Sequence, residues 1–187
     1  MTLASRLHST LLPLAVAAAL AAAVPDSRAH GGDTPPGGAD PRQELADARQ
    51  ATARFQDVNA ALGAGYAKFP DQSGDCVAQD GQGGMGVHFL DGSLVDGTLD
   101  PLRPELLVYR QGRNGRLELA ELEYVIPAPV WDAQNAQPPI LFGHTFHLLR
   151  VPNRYGLDTP LYTPHVWLWQ HNPNGLFSDW NPNVHCD

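Results

Sequence analysis

The chain has 187 residues, with 12 basic against 20 acidic side chains, a formal net charge of −8 and 43% hydrophobic residues. A surface of that sign repels phosphate backbones, and with no basic run anywhere nucleic acid is excluded as an expected partner. The length suits one ordinary domain of roughly 100–200 residues, large enough to bury a core.

Residues 1–29 read as an export leader: Arg6 in a short polar start, an apolar run from Leu11 to Val24, then Ser27-Arg28-Ala29 as a small-x-small cleavage site. The run is too short for a spanning helix, and no second long apolar run follows, so a periplasmic or secreted protein without a membrane anchor is expected. Cleavage would leave 158 residues beginning at His30, with 10 basic and 19 acidic side chains. Only Cys76 and Cys186 are present. In an oxidising compartment two thiols so far apart in the chain predict a structural disulfide, worth about 3–5 kcal/mol by loop closure. The competing reading gives one of them to a metal site.

HGGDTPPGGAD, residues 30–40, is rich in Gly and Pro and reads as a flexible leader to a globular domain over residues 41–187. Asp40 and Pro41 look like an N-cap and first-turn proline. Leu45, Ala48, Ala51, Phe55, Val58 and Leu62 then recur at three- and four-residue steps. The spacing predicts one amphipathic helix, with room for a kink, ending near Gly63 or Gly65. FPDQSGDCVAQDGQGGMG follows as a turn-rich loop. GQGGMG lacks the strand-to-helix context of a dinucleotide site, so no nucleotide cofactor is expected.

From Val87 onward short strand-like runs alternate with Gly, Pro, Asn and Asp. They are GMGVHFL, ELLVYR, RLELAELEYVIP, FGHTFHLLRV and HVWLWQH. Asn114-Gly115 between the second and third is a hairpin signal. The expected fold is α+β: one N-terminal amphipathic helix packed on an antiparallel sheet of about five strands, with a loop-rich C-terminal tail. HNPN and WNPN in that tail read as two Asn-Pro turns.

Candidate chemistry gathers in the strand-rich half. Alternation places Glu121 and Glu123 on the same strand face as Leu117, Leu119 and Val125, and a buried carboxylate needs a partner. The expectation is that neighbouring strands aim His88, Glu123 and His165 into one pocket, with His147 as outer or fourth member. That set suits one zinc, copper or iron ion with an open position for water or substrate. In GHTFH the two rings point opposite ways on a strand, so at most one of His144 and His147 joins. Tyr124 and Glu123 are the expected proton carriers. If HVWLWQH is a strand, His165, Trp167, Trp169 and His171 share a face, and Trp167 and Trp169 line the pocket of a small-molecule ligand. The alternatives are a non-enzymatic binding or structural module with hydrogen-bonded histidines, and a metal-free lyase or isomerase using a His/Glu acid–base pair. An N-terminal His30 could also hold copper as a brace, although its Gly-rich surroundings argue against a pinned terminus.

The succession MGVHF, PELLVY, LELAELEYV, FGHTFH, HVWLWQHNPNGLF and WNPNVHC resembles a family of small exported bacterial proteins of uncharacterised activity. The resemblance covers roughly Ala51 to Cys186. It implies a single exported domain and carries no activity, cofactor or site residue with it.

Overall fold

A computed structural model describes residues 40–69, 75–153 and 156–186. The expected export leader, the Gly/Pro-rich stretch to residue 39 and His30 lie outside them. The fold is α+β, with helices in the N-terminal part followed by antiparallel strands.

The predicted single helix is divided. α1 (Pro41–Thr52) starts at Asp40, whose carboxylate accepts from the Arg42 N–H at 2.9 Å. A single 3-10 turn, Ala53–Gln56, follows, and α2 (Val58–Gly63) starts afresh. The break is at Asp57, which is extended (ψ 112°) and caps α2 by accepting from the Asn59 N–H at 3.0 Å. A capping carboxylate satisfies orphan donors that a continuous helix would not have exposed. It also shifts the apolar stripe by one residue: Ala61 is fully buried, whereas Leu62 is 51% exposed.

The strands are β1 (Ala67–Lys68), β2 (Val77–Gln79), β3 (Gly83–Leu90), β4 (Leu106–Gln111), β5 (Leu117–Glu123), β6 (Ile126–Pro127), β7 (Ile140–Leu141), β8 (His144–Thr145), β9 (His147–Leu149), β10 (Leu161–Thr163) and β11 (His165–Val166). A short helix, α3 (Ala128–Asp132), follows β6. The main antiparallel sheet runs β1-β3-β4-β5-β11, with β2 also on β3, and a second runs β6-β10-β9. The two are nearly continuous. β5 leads to β6 and β10 to β11, and the Tyr124 N–H between them donates to the Pro164 carbonyl at 3.4 Å. Between β4 and β5, Asn114 and Gly115 take φ of 76° and 69°, the two left-handed residues that a tight hairpin turn demands.

Pairing fixes the faces, because residues directly opposite in antiparallel strands project to the same side. One side carries Val87, Phe89, Leu107, Tyr109, Leu119, Leu122 and Val166, which pack with Ala48, Phe55 and Ala61 of the helical segment into the principal core. Tyr109 ties the layers together, its hydroxyl donating to the Phe55 carbonyl at 2.7 Å. The other side carries the rows His88–Val108–Glu121 and Leu90–Leu106–Glu123–His165.

This corrects the expected alternation. Tyr109 opposes Leu119, but Val108 opposes Glu121, so Ala120 is the extra residue of a β-bulge. The bulge reverses the phase of β5, and Glu121 and Glu123 project away from Leu119. The Ala120 carbonyl then accepts from the N–H groups of both Trp169 and Gln170, at 3.0 and 2.9 Å. Those bonds turn the chain, so β11 ends at Val166 and HVWLWQH does not continue as a strand. Trp167 packs with Ala120 and Val184 in a satellite cluster, Trp169 joins the principal core beneath Arg49, and His171 is exposed.

The C-terminal segment is fastened to the sheet at two places. Cys76 and Cys186 form the expected disulfide. Gly84 and Asn181 exchange both backbone hydrogen bonds, at 3.1 and 3.0 Å. The Gly-rich run beside Cys76 is therefore a seat for the tail and the start of β3, where a turn-rich loop was expected. A Cβ on Gly83 would lie 2.1 Å from the Asn181 carbonyl oxygen, and its φ is +98°. Gly83→Ala should therefore cost about 2–4 kcal/mol in denaturant unfolding, from strain and clash together. A change below about 0.5 kcal/mol would show that the tail does not bear on this glycine.

Candidate functional site

The phase reversal at Ala120 puts two carboxylates on a face already carrying imidazoles. Glu121 and Glu123 are both fully buried, and His88 and His165 are 1% and 3% exposed. His165 Nδ1 lies 3.2 Å from Glu121 Oε1 and its Nε2 lies 3.8 Å from Glu123 Oε1. His88 Nε2 lies 3.6 Å from Glu123 Oε2. Thr163, two residues before His165, donates its hydroxyl to Glu123 Oε1 at 3.1 Å. The strand contributions are one residue pair from β5, one residue each from β3 and β11, and one from β10.

Three of these groups open onto a hollow of about 260 Å³. Glu123, His165 and Thr163 line it, together with His147, Leu149 and Asn153 and, from other segments, Met85, Asp179 and Trp180. Glu121 and His88 do not line it; they stand behind His165 and Glu123. His147 reaches the hollow because it pairs with Thr163 across β9 and β10, and it is exposed at the rim. His144 stacks on Phe177 instead, with ring centroids 4.2 Å apart.

Burial of four ionisable groups forces their protonation to be settled mutually. Burial raises Glu121 above the usual carboxylate range, with His165 pulling it back. Burial would lower His165, but Glu121 and Glu123 together outweigh it and hold the imidazole above its ordinary value. Both carboxylates thus favour the protonated imidazole, whose Nδ1–H is then directed to Glu121. Glu121 Oε2 is buried and has no hydrogen-bond partner among the described residues.

Several predicted residues meet here and several do not. His88, Glu123 and His165 come together, with His147 at the margin. Tyr124 belongs to the principal core, where its hydroxyl donates to the Pro101 carbonyl at 2.8 Å, edge-on to Phe142. It does not line the hollow. Nor do Trp167, whose indole N–H donates to the Ser178 carbonyl, and Trp169, whose indole N–H donates to the Thr52 hydroxyl at 3.3 Å. Trp180 supplies the aromatic wall instead. Among the described residues no group of three or more His, Cys, Asp and Glu side chains is arranged to hold a metal ion.

Sequence reasoning missed Glu121 as a partner of His165, and missed Thr163 and Asp179 altogether. The pair Thr163–His165, two apart in LYTPHV, was the available signal for the first of these, since alternate residues share a strand face. Asp179 and Trp180 lie in an irregular segment placed by its attachment to Gly84, which no local pattern encodes. Glu105 was also missed. It is 2% exposed, accepts from the Val125 N–H at 3.1 Å, and is pushed by burial to a pKa of about 8.

No protein-family model, curated protein or solved structure matches the chain. Among the described residues no helix is long and apolar enough to cross a membrane.

Proposed function

We propose that the chain is an exported protein that takes a small organic molecule into the polar hollow and exchanges protons with it, a metal-free lyase or isomerase chemistry. The observation that supports this is the unbroken line of contacts Glu121–His165–Glu123, with His165 and Glu123 facing the hollow and Glu121 behind. Export is supported by the leader-like first 29 residues and by the Cys76–Cys186 disulfide.

The chemistry follows from the two carriers. Protonated His165 gives its Nε2 proton to a carbonyl oxygen on the ligand and remains as neutral imidazole, its Nδ1–H still held by Glu121. Glu123 removes a proton from the carbon next to that carbonyl. One proton leaves the array and one enters it, so its charge is conserved while the ligand becomes an enol. Thr163 holds the Glu123 oxygen on the side away from His88.

A second reading keeps zinc, copper or iron. It is favoured by the placement of His88 Nε2 and His165 Nε2 against different oxygens of Glu123, at 3.6 and 3.8 Å. Histidine-selective ¹⁵N NMR and metal analysis of the periplasmically expressed protein separate the two. Under the acid–base reading His165 retains imidazolium shifts above neutral pH, its midpoint falls in Glu121→Gln, and metal is well below one equivalent. One equivalent of a transition metal that disappears in both His88→Ala and His165→Ala would overturn it in favour of the metal.

A further inference from the structure

The sheet face that carries the polar hollow continues into a second one of different character. Phe69 donates its backbone N–H to the His88 carbonyl at 2.8 Å at the edge of this sheet. With Leu90, Gly92, Val95, Leu106, Val125, Leu157 and Leu161 it lines a hollow of about 230 Å³. The walls are hydrocarbon apart from backbone. An apolar cavity of about 150 Å³ already accepts benzene, so this one has room for a ring or a short alkyl chain. Leu157, 42% exposed, leaves it open to solvent.

The two hollows lie side by side, as the strand register requires. Leu106 of the apolar hollow is directly opposite Glu123 of the polar one. On β10, Leu161 lines the first and Thr163 the second, so the centres of these walls are about 7 Å apart, two residues along one strand face. On the outer side, Leu157 and Asn153 again line one hollow each, and they are linked by two hydrogen bonds of 3.4 Å. Three neighbouring pairs, one across β4 and β5, one along β10 and one in the segment after β9, thus each set an apolar lining residue beside a polar one.

From this repeated juxtaposition we infer that the ligand is amphipathic: a neutral carbonyl or hydroxyl head on Glu123, His165 and Thr163, and a hydrocarbon ring or short chain against Leu90, Leu106 and Leu161. A neutral head fits because the polar hollow sets carboxylates and imidazoles side by side, with Glu123 against His165, and no wall of a single sign. The inference rests on the proposed site for the head group and adds the tail.

The test is a ¹H–¹⁵N titration of the full disulfide-bonded chain with ethanol, butan-1-ol, hexan-1-ol and octan-1-ol. Affinity is expected to rise about fourfold per added methylene until the apolar hollow is filled, then level off. Shifts should appear at Thr163 and His165 as well as at Leu106 and Val125. Val95→Phe, at the rim, and Leu161→Phe, at the wall, should each flatten the chain-length dependence; Val95→Phe serves if the core variant does not fold. Longer alcohols that bind no better than ethanol would overturn the tail assignment and leave the acid–base reading standing. Long alcohols that shift Leu106 and Val125 without Thr163 and His165 would overturn the single amphipathic ligand. Absence of any shift overturns it outright, while the imidazole titration continues to judge the proposed function independently.

Discussion

Removing the Cys76–Cys186 bridge is expected to lower stability by about 4–5 kcal/mol, because it closes a loop of 110 residues in the unfolded chain. For a domain of this size that is a fall of roughly 10–20 °C in Tm, read by calorimetry on Cys76→Ser/Cys186→Ser against the oxidised protein. The effect reaches the site as well as the fold. Asp179 and Trp180, which wall the polar hollow, directly precede Asn181 of the Gly84–Asn181 backbone pair, and the disulfide fastens the same tail a few residues further on, at Cys186. Ethanol and hexanol binding should therefore weaken in the double variant at temperatures where it is still folded. A Tm within 3 °C of the parent would show that the tail is held by its packing and backbone bonds alone, with the bridge redundant.

Stability is expected to fall as pH rises from about 5 to 9, opposite to the behaviour of a protein held by surface carboxylate pairs. Glu105 decides the sign. Burial raises its pKa from 4.5 to about 8, with the Val125 N–H opposing the rise and the charges of Asp96 and Glu123 adding to it. Tyr66 and Tyr124 pack near the same carboxyl and are themselves raised, so they stay neutral across the window and add no slope. The folded state thus holds a proton that the unfolded state releases. The stabilisation is complete below pH 4.5 and is lost as pH climbs through about 8, for a total of about 3–5 kcal/mol. His165 and Glu121 are raised as well and contribute in the same direction. Calorimetric Tm values at pH 5 and pH 8.5 measure the sum. Glu105→Gln, which keeps an acceptor for the Val125 N–H, should remove a large part of the slope. A Tm that increases over this range would show that Glu105 ionises normally in the folded protein.

The two effects have a common origin in the way the sheet is covered. One face lies under the helical segment and is filled by hydrocarbon. The other is covered by loops and the clasped tail, and it buries Glu121, Glu123, His88 and His165. Burying four ionisable groups is costly unless each finds a partner, so their arrangement has to be settled by the tertiary structure as a whole.

Local patterning in the sequence was enough for the elements whose signals are themselves local. The Asp40-Pro41 helix start, the Asn114-Gly115 turn, the apolar strands β3 and β4, and the pairing of two thiols all follow from capping, left-handed turn chemistry, alternation and composition. That His88, Glu123 and His165 lie near one another was legible too, since polar residues inside apolar runs must face something. Three matters were decided only by the folded chain. The bulge at Ala120 depends on how β5 meets β4, and a single inserted residue reverses the face of every side chain beyond it, which no alternation count along one strand can anticipate. The end of β11 depends on that bulge, because the freed Ala120 carbonyl captures Trp169 and Gln170 and sends Trp167 and Trp169 away from the hollow. Asp179 and Trp180 arrive from a distant, irregular segment because glycines at 83 and 84 leave room for a second backbone, a contact between residues almost a hundred positions apart.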